Sequence, residues 1–249
     1  MSAPAKNWFE QGGEAYRRFR PEYPPELPAL LARFAPARTM AVDVGCGSGQ
    51  LTPHLASVFE TVVGLDPSAD QIANAPRHER VQYLRASAEK LPLPDNSVDL
   101  IVAAQAAHWF DIDAFHDEAR RVLKPRGALA LITYGVIEAD GETGRVLKHF
   151  YYDVIGPYWP PERRHVESGY RLLPFPFAEE PAPDIAMKAS WPLADLLGYV
   201  GTWSALRNAA TTLGRAPLER FAAELGEAWG DPLLSREIRW PLAMRIGRV

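Results

Sequence analysis

Between residues 40 and 134 the chain alternates short apolar runs with segments whose apolar residues recur at helical spacing, the signature of parallel strands joined by crossover helices. The strand-like runs are Met40 to Val44, Thr61 to Leu65, Val81 to Leu84, Val98 to Val102 and Ala128 to Tyr134. His54 to Phe59 and Phe115 to Leu123 carry helical patterns, and Pro67-Ser68 starts a further helix as a cap. Leu27, Leu30, Leu31 and Phe34 predict a helix over Pro25 to Phe34, ahead of the first strand. Lys124-Pro125-Arg126-Gly127 stops a helix and turns the chain into the fifth strand. Past Gly135 the pattern becomes irregular, with two more strands over Ile185 to Trp191 and Ile238 to Ile246 and helical stretches at Ala194 to Ala209 and Leu218 to Trp229. The proline- and aromatic-rich tract from Gly156 to Pro183 is too apolar for a free linker and reads as a packed cover over the carboxyl edge of the sheet.

Composition narrows the classes. A chain of 249 residues with 47% hydrophobic content buries one substantial core. No apolar run approaches the roughly 18 residues of a membrane span, and the N-terminus lacks an apolar signal core, so a soluble cytoplasmic protein is expected. Cys46 is the single cysteine, which excludes an internal disulfide. A net charge of -4 without a dense basic stripe argues against nucleic acid, leaving a small molecule as the expected partner. No metal is expected, and the oligomeric state is not legible.

The chemistry concentrates in Asp43-Val44-Gly45-Cys46-Gly47-Ser48-Gly49-Gln50, where a strand ends in an acid and three glycines precede a helix. A glycine turn at the carboxyl end of a parallel strand is where open α/β sheets bind nucleotides. A dinucleotide fingerprint needs glycine or alanine where Gln50 stands, and a P-loop needs a lysine where this turn has none. Asp66 closes the second strand 23 positions after Asp43. An acid there can accept hydrogen bonds from both ribose hydroxyls; the competing reading is a helix N-terminal acid stabilised by the dipole. The aromatic and basic segment from Trp8 to Pro25 reads either as an arm packed on the domain or as a flap over a ligand, with Arg20 offering a fork to a carboxylate.

Six ordered segments together resemble the class I S-adenosylmethionine-dependent methyltransferases: Asp43 to Gly49, Gly64-Leu65-Asp66-Pro67-Ser68, Ala88-Glu89-Lys90-Leu91-Pro92, Ser97-Val98-Asp99-Leu100, Gln105-Ala106-Ala107-His108-Trp109 and Arg121-Val122-Leu123-Lys124-Pro125. Tyr16, Arg20-Pro21 and Tyr23-Pro24, with Leu197-Gly198-Tyr199 and Thr202-Trp203-Ser204, are similar to the trans-aconitate methyltransferase-like subgroup that acts on small molecules. The resemblance implies a doubly wound, Rossmann-like α/β fold: a mostly parallel seven-stranded sheet, an antiparallel last strand and a helical cover. It implies one domain over 1–249, with a flap at 1–35, a cofactor-binding core at 36–135 and a substrate cover with the last two strands at 136–249.

The same resemblance implies a set of site residues. Gly45 and Gly47 would pass under the methionyl part of S-adenosylmethionine, with Asp43 near its ammonium. Asp66 would hold the ribose, Leu65 or Pro67 would flank the adenine, and Ser87, Ala88 and Glu89 would meet the adenine edge. Gln105 would lie by the sulfonium, and Arg20 with Tyr16 would close over the carboxylate. Two departures stand out: Ser87 replaces an acid frequent among relatives, and Arg126 replaces a glycine, for which a local change of turn is expected.

Methyl transfer from a sulfonium depends on holding the nucleophile about 3 Å from the methyl carbon and on excluding water. His108 is the candidate base for a neutral acceptor, with a hydrogen-bonded wall residue as the alternative. Trp8, Trp109, Tyr134, Trp159, Tyr170 and Trp203 are the candidate pocket walls, each competing with a plain packing role. The expected function is methyl transfer to a small organic molecule, a carboxylic acid among the acceptors considered; a non-catalytic binding module on the same fold is the alternative. A nucleic-acid methyltransferase is disfavoured, because Ala104-Gln105-Ala106-Ala107 stands where such enzymes carry an Asn/Asp-Pro-Pro-aromatic tetrad.

Overall fold

The computed structural model describes residues 21–249; Trp8, Tyr16 and Arg20 lie outside the described residues. Helix α1 (Leu27–Leu31) precedes β1 (Met40–Val44), α2 (Thr52–Leu55), β2 (Thr61–Asp66), α3 (Ala69–Ala73), β3 (Val81–Arg85), β4 (Val98–Ala104), α4 (Ile112–Val122) and β5 (Leu123–Tyr134). After these come α5 (Gly141–His149), α6 (Arg163–Glu167), β6 (Ala178–Glu180), β7 (Ala186–Trp191), α7 (Leu193–Gly201), α8 (Ser204–Leu213), α9 (Ala216–Trp229) and β8 (Arg236–Arg248).

The strands form one eight-stranded sheet in the order β3-β2-β1-β4-β5-β8-β6, with β7 paired to β8. Pairings among β1 to β5 are parallel, whereas β8 runs antiparallel to β5 and β6 antiparallel to β8. The doubly wound, mostly parallel sheet with antiparallel C-terminal strands is thus present, one strand larger than expected because the three-residue β6 caps the edge. The order reverses between β1 and β4, and a crevice opens at the carboxyl ends of the strands at such a switch point.

Burial on both faces explains why β4 is apolar almost throughout: Val98 to Ala103 are all buried. Asp99 is the exception in that run, fully buried and fully engaged. It accepts the amides of Thr39 (3.0 Å) and Met40 (2.9 Å) and the ammonium of Lys124 (2.8 Å), tying the start of β1 to β4 and β5. The cap expected at Ser68 is present, its hydroxyl accepting from Gln71 N at 3.3 Å, and Asp111 caps α4 in the same way by accepting from Ala114 N at 3.3 Å.

The turn expected at Lys124 to Gly127 lies inside β5, where the register to β4 jumps from Val98↔Leu123 to Leu100↔Ala128. Arg126 adopts φ +66° there, a left-handed conformation that glycine enters without a Cβ clash.

The chain forms two compact units. The larger comprises Tyr23–Gly135, Glu162–Ala186 and Pro241–Val249. Its core joins Val42, Val63, Leu65, Ile101, Phe115, Leu129 and Leu131 with Val166, Tyr170 and Phe177. The smaller comprises Val136–Pro161 and Met187–Trp240. It is built on aromatic packing: Phe150 stacks on Phe221 at 3.9 Å between centroids, and Trp240 donates its indole N–H to the Tyr199 hydroxyl at 3.0 Å.

Candidate active site

The larger unit brings the tips of β1, β2, β3 and β4 together, and most of the residues singled out in the sequence follow those tips. Gly45, Gly47 and Gly49 take φ values of +71°, +56° and +81°, so the turn after β1 doubles back on itself. At Gly45 space is also decisive, because a Cβ would lie 2.4 Å from that of Ala106 and 3.2 Å from the Phe110 ring. The turn is pinned to β2: the amides of Gly45 (2.7 Å) and Cys46 (3.0 Å) both donate to Leu65 O. Cys46 is buried, and desolvation pushes its thiol far up, which leaves it inert.

Asp66 accepts the amides of Gly47 at 2.9 Å and Ser68 at 2.8 Å, one on each carboxylate oxygen. Two of its roughly four lone-pair positions are therefore filled, and the others are open to a pair of adjacent hydroxyls. Its pKa is raised by desolvation, against the pull of the two amides. Asp43 is fully buried. Its Oδ2 accepts the Thr52 hydroxyl at 2.7 Å, whereas Oδ1 has no partner among the described residues. Burial pushes its carboxyl up to about 7, against the Thr52 hydrogen bond and reinforced by the charge of Asp66. A buried carboxylate oxygen without a donor is a seat for a cationic donor.

The end of β3 lies beside Asp66 through Ala86 N to Asp66 O at 3.2 Å. Ser87 follows exposed, Ala88 is buried, and Glu89 accepts the Asp111 amide at 3.0 Å. Gln105 sits at φ +55° at the tip of β4, its side chain held on both sides: Nε2 donates to Tyr134 O at 3.0 Å and Oε1 accepts from Thr133 at 2.7 Å. Strained backbone at a strand tip clusters at functional sites.

Three residues beyond Gln105, His108 Nδ1 lies 3.0 Å from the Tyr170 hydroxyl. Tyr170 is fully buried at φ +63°, and desolvation pushes its phenol upward. His108 is pushed down to about 3, mostly by burial and further by the charges of Arg163 and His165 on α6. Trp109 beside it is 41% exposed, and Tyr134 is buried with its ring edge-on to Tyr23 at 6.5 Å. The remaining described wall candidates, Trp159 and Trp203, belong to the smaller unit, where both pack on Tyr151 at 4.9 and 5.4 Å between centroids.

Sequence reasoning missed Thr52, Tyr83, Phe110, Thr133 and Arg163. Tyr83 had a readable signal: it stands opposite Gly64 in the β2–β3 register, and a Cβ on Gly64 would come within 2.6 Å of its ring. A glycine inside a strand marks such a close approach.

Comparison with known proteins decides what this crevice belongs to. A family profile described as a methyltransferase domain matches residues 42–131. A candidate methyltransferase of Dictyostelium discoideum is 37% identical over 200 residues, covering 79% of this chain and 76% of that protein. The chain belongs to the class I S-adenosylmethionine-dependent methyltransferases. A candidate type II methyltransferase from Anaeromyxobacter dehalogenans, solved as a structure, is 48% identical with a TM-score of 0.88, covering 92% of this chain and 97% of that one. An uncharacterised methyltransferase of Mycobacterium tuberculosis is 41% identical over 120 residues, which span 48% of its length. S-adenosylmethionine is accordingly the cofactor of this enzyme. The site fits it in its own terms: a glycine turn without Cβ atoms, a buried oxygen on Asp43 with no partner among the described residues and an acid with open lone pairs at the tip of β2.

Proposed function

We propose that this methyltransferase methylates a small organic molecule bearing a carboxylate. The observation that carries the reading is the setting of His108, whose Nδ1 is engaged 3.0 Å from the hydroxyl of the fully buried Tyr170 and whose imidazole is pushed down to about 3 by burial and by the charge of Arg163. A general base works best with a pKa near the operating pH, and His108 lies far below it. A carboxylate acceptor carries its own lone pair and releases no proton, so it needs no base.

In this reading Asp43 holds the ammonium of the cofactor, Asp66 its ribose hydroxyls, and the segment Ser87–Glu89 with Pro67 its adenine. When bound, S-adenosylmethionine supplies a methyl group already activated by its sulfonium sulfur. The chain's own residues then orient and exclude water: Gln105 fixes the tip of β4, His108 on Tyr170 offers a neutral ring nitrogen to the acceptor, and Trp109 and Tyr134 form the wall. Tyr16, Arg20 and Trp8 remain assigned to the covering segment by sequence alone. The net charge of -4 supports a small acceptor over nucleic acid.

The test is transfer of labelled methyl into fractionated metabolite pools. Label in anionic precursors that become alkali-labile products on methylation supports a methyl ester. Label held in alkali-stable N- or C-methyl products contradicts the carboxylate acceptor, and label in nucleic acid contradicts the small-molecule class. His108→Ala should cost less than about tenfold in turnover, whereas a true base costs a hundredfold or more.

A further inference from the structure

The loop between β3 and β4 has no regular structure of its own, yet its first residues form the proposed adenine wall. Its backbone is held by two side chains of α4. Glu118 accepts the Leu91 amide at 2.7 Å, and Arg121 Nη2 donates to Leu91 O at 2.9 Å, so one residue of the loop is held at both its N–H and its C=O. Arg121 Nη1 reaches further along, to Leu93 O at 2.8 Å and Asp95 at 2.7 Å. Glu118 in turn accepts from Nε and Nη2 of Arg121, both at 2.7 Å, a two-bond fork that fixes the guanidinium plane. At the other end of the same helix, the Asp111 amide binds Glu89 at 3.0 Å. Both ends of α4 therefore hold the segment that starts at Ser87, beside Asp66.

We propose that Glu118 and Arg121 are positioning residues for the adenine end of the cofactor: they order the Ser87–Leu91 wall before the nucleoside arrives. This rests on the assignment of that wall to adenine. Arg121 is one-third exposed and Glu118 one-fifth, so as an isolated ion pair they would contribute little to stability. Their effect falls instead on a connection without regular structure of its own, where a loop ordered in advance removes an entropic cost from binding. Arginine is needed because five N–H donors in one plane can bridge two carboxylates and two carbonyls, which a lysine ammonium cannot.

The experiment measures calorimetric affinities of the full chain for S-adenosylhomocysteine and S-inosylhomocysteine, which differ only in the base edge. In the wild type the adenine ligand should bind more tightly. Arg121→Met should weaken S-adenosylhomocysteine about tenfold and S-inosylhomocysteine much less, so the preference shrinks, while kcat at saturating cofactor stays within about twofold. General loss of structure would weaken both ligands alike. A folded variant that keeps the full wild-type preference overturns the inference. Should Arg121→Met fail to fold, Glu118→Gln, which preserves volume, gives the same reading: a retained preference overturns the clamp and a reduced one supports it. A wild type that binds both ligands equally overturns the adenine wall itself, and the clamp with it.

Discussion

The proposed seat of the cofactor ammonium on Asp43 predicts that cofactor binding is sensitive to pH near neutrality. In the free protein its carboxyl is pushed up to about 7, because burial outweighs the Thr52 hydrogen bond. An ammonium delivered to its unpartnered oxygen favours the ionised form, so binding lowers the pKa and expels a proton. With a free-state pKa of 7, ionised and protonated forms stand at about one to ten at pH 6. Apparent affinity there should be about tenfold weaker than on the plateau above pH 8, with about 0.9 proton released per ligand bound. S-adenosylhomocysteine carries the same ammonium and is the suitable ligand. Calorimetry at pH 6 and pH 8, in two buffers of different ionisation heat, reads both quantities. Asp43→Asn should bind more weakly and lose this dependence. Equal wild-type affinity at both pH values with no proton exchange, or an unchanged profile in the asparagine variant, would refute the reasoning.

Other residues give sharper tests of stability. Asp99→Ala leaves two backbone amides and the Lys124 ammonium without their acceptor; denaturant unfolding should show a loss of about 3 kcal/mol or more. Arg126→Gly relieves a left-handed residue at φ +66° and should stabilise by up to about 1 kcal/mol in the same assay, less the added unfolded-state entropy. His108 is lowered from 6.5 to about 3, so its neutral form is favoured by folding. That contribution is complete above pH 6.5 and is lost as the pH falls toward 3. His108→Gln should therefore flatten the stability profile between about pH 6 and 4 by up to about 1.4 kcal/mol per pH unit.

The parallel half of the sheet was legible because each strand is an apolar run ending in a polar or glycine-rich turn, a pattern that fixes both strand and site. The glycine turn and Asp66 were readable because their chemistry is local: three left-handed glycines and an acid that accepts the amide of Ser68, two residues on. Asp99 looked like part of a motif, but its reason lies in partners 25, 59 and 60 residues away. Glu89 was expected at the adenine edge, yet one of its oxygens is occupied by Asp111 N, a contact made only once α4 is in place. Likewise, nothing near His108 in the sequence announces Tyr170 or Arg163, which the fold brings to it from more than 50 residues downstream. Three-residue β6 carries no hydrophobic alternation, and its pairing depends on β8 alone.

The proposed ribose role of Asp66 seats a nucleoside at the tips of β1 and β2. Calorimetric titration of S-adenosylhomocysteine into the wild type and Asp66→Ala tests this most directly. Two charge-assisted hydrogen bonds are lost, together with the acceptor for Gly47 N and Ser68 N, so affinity should fall about a hundredfold. An alanine variant that remains folded and binds within about threefold of the wild type would contradict it.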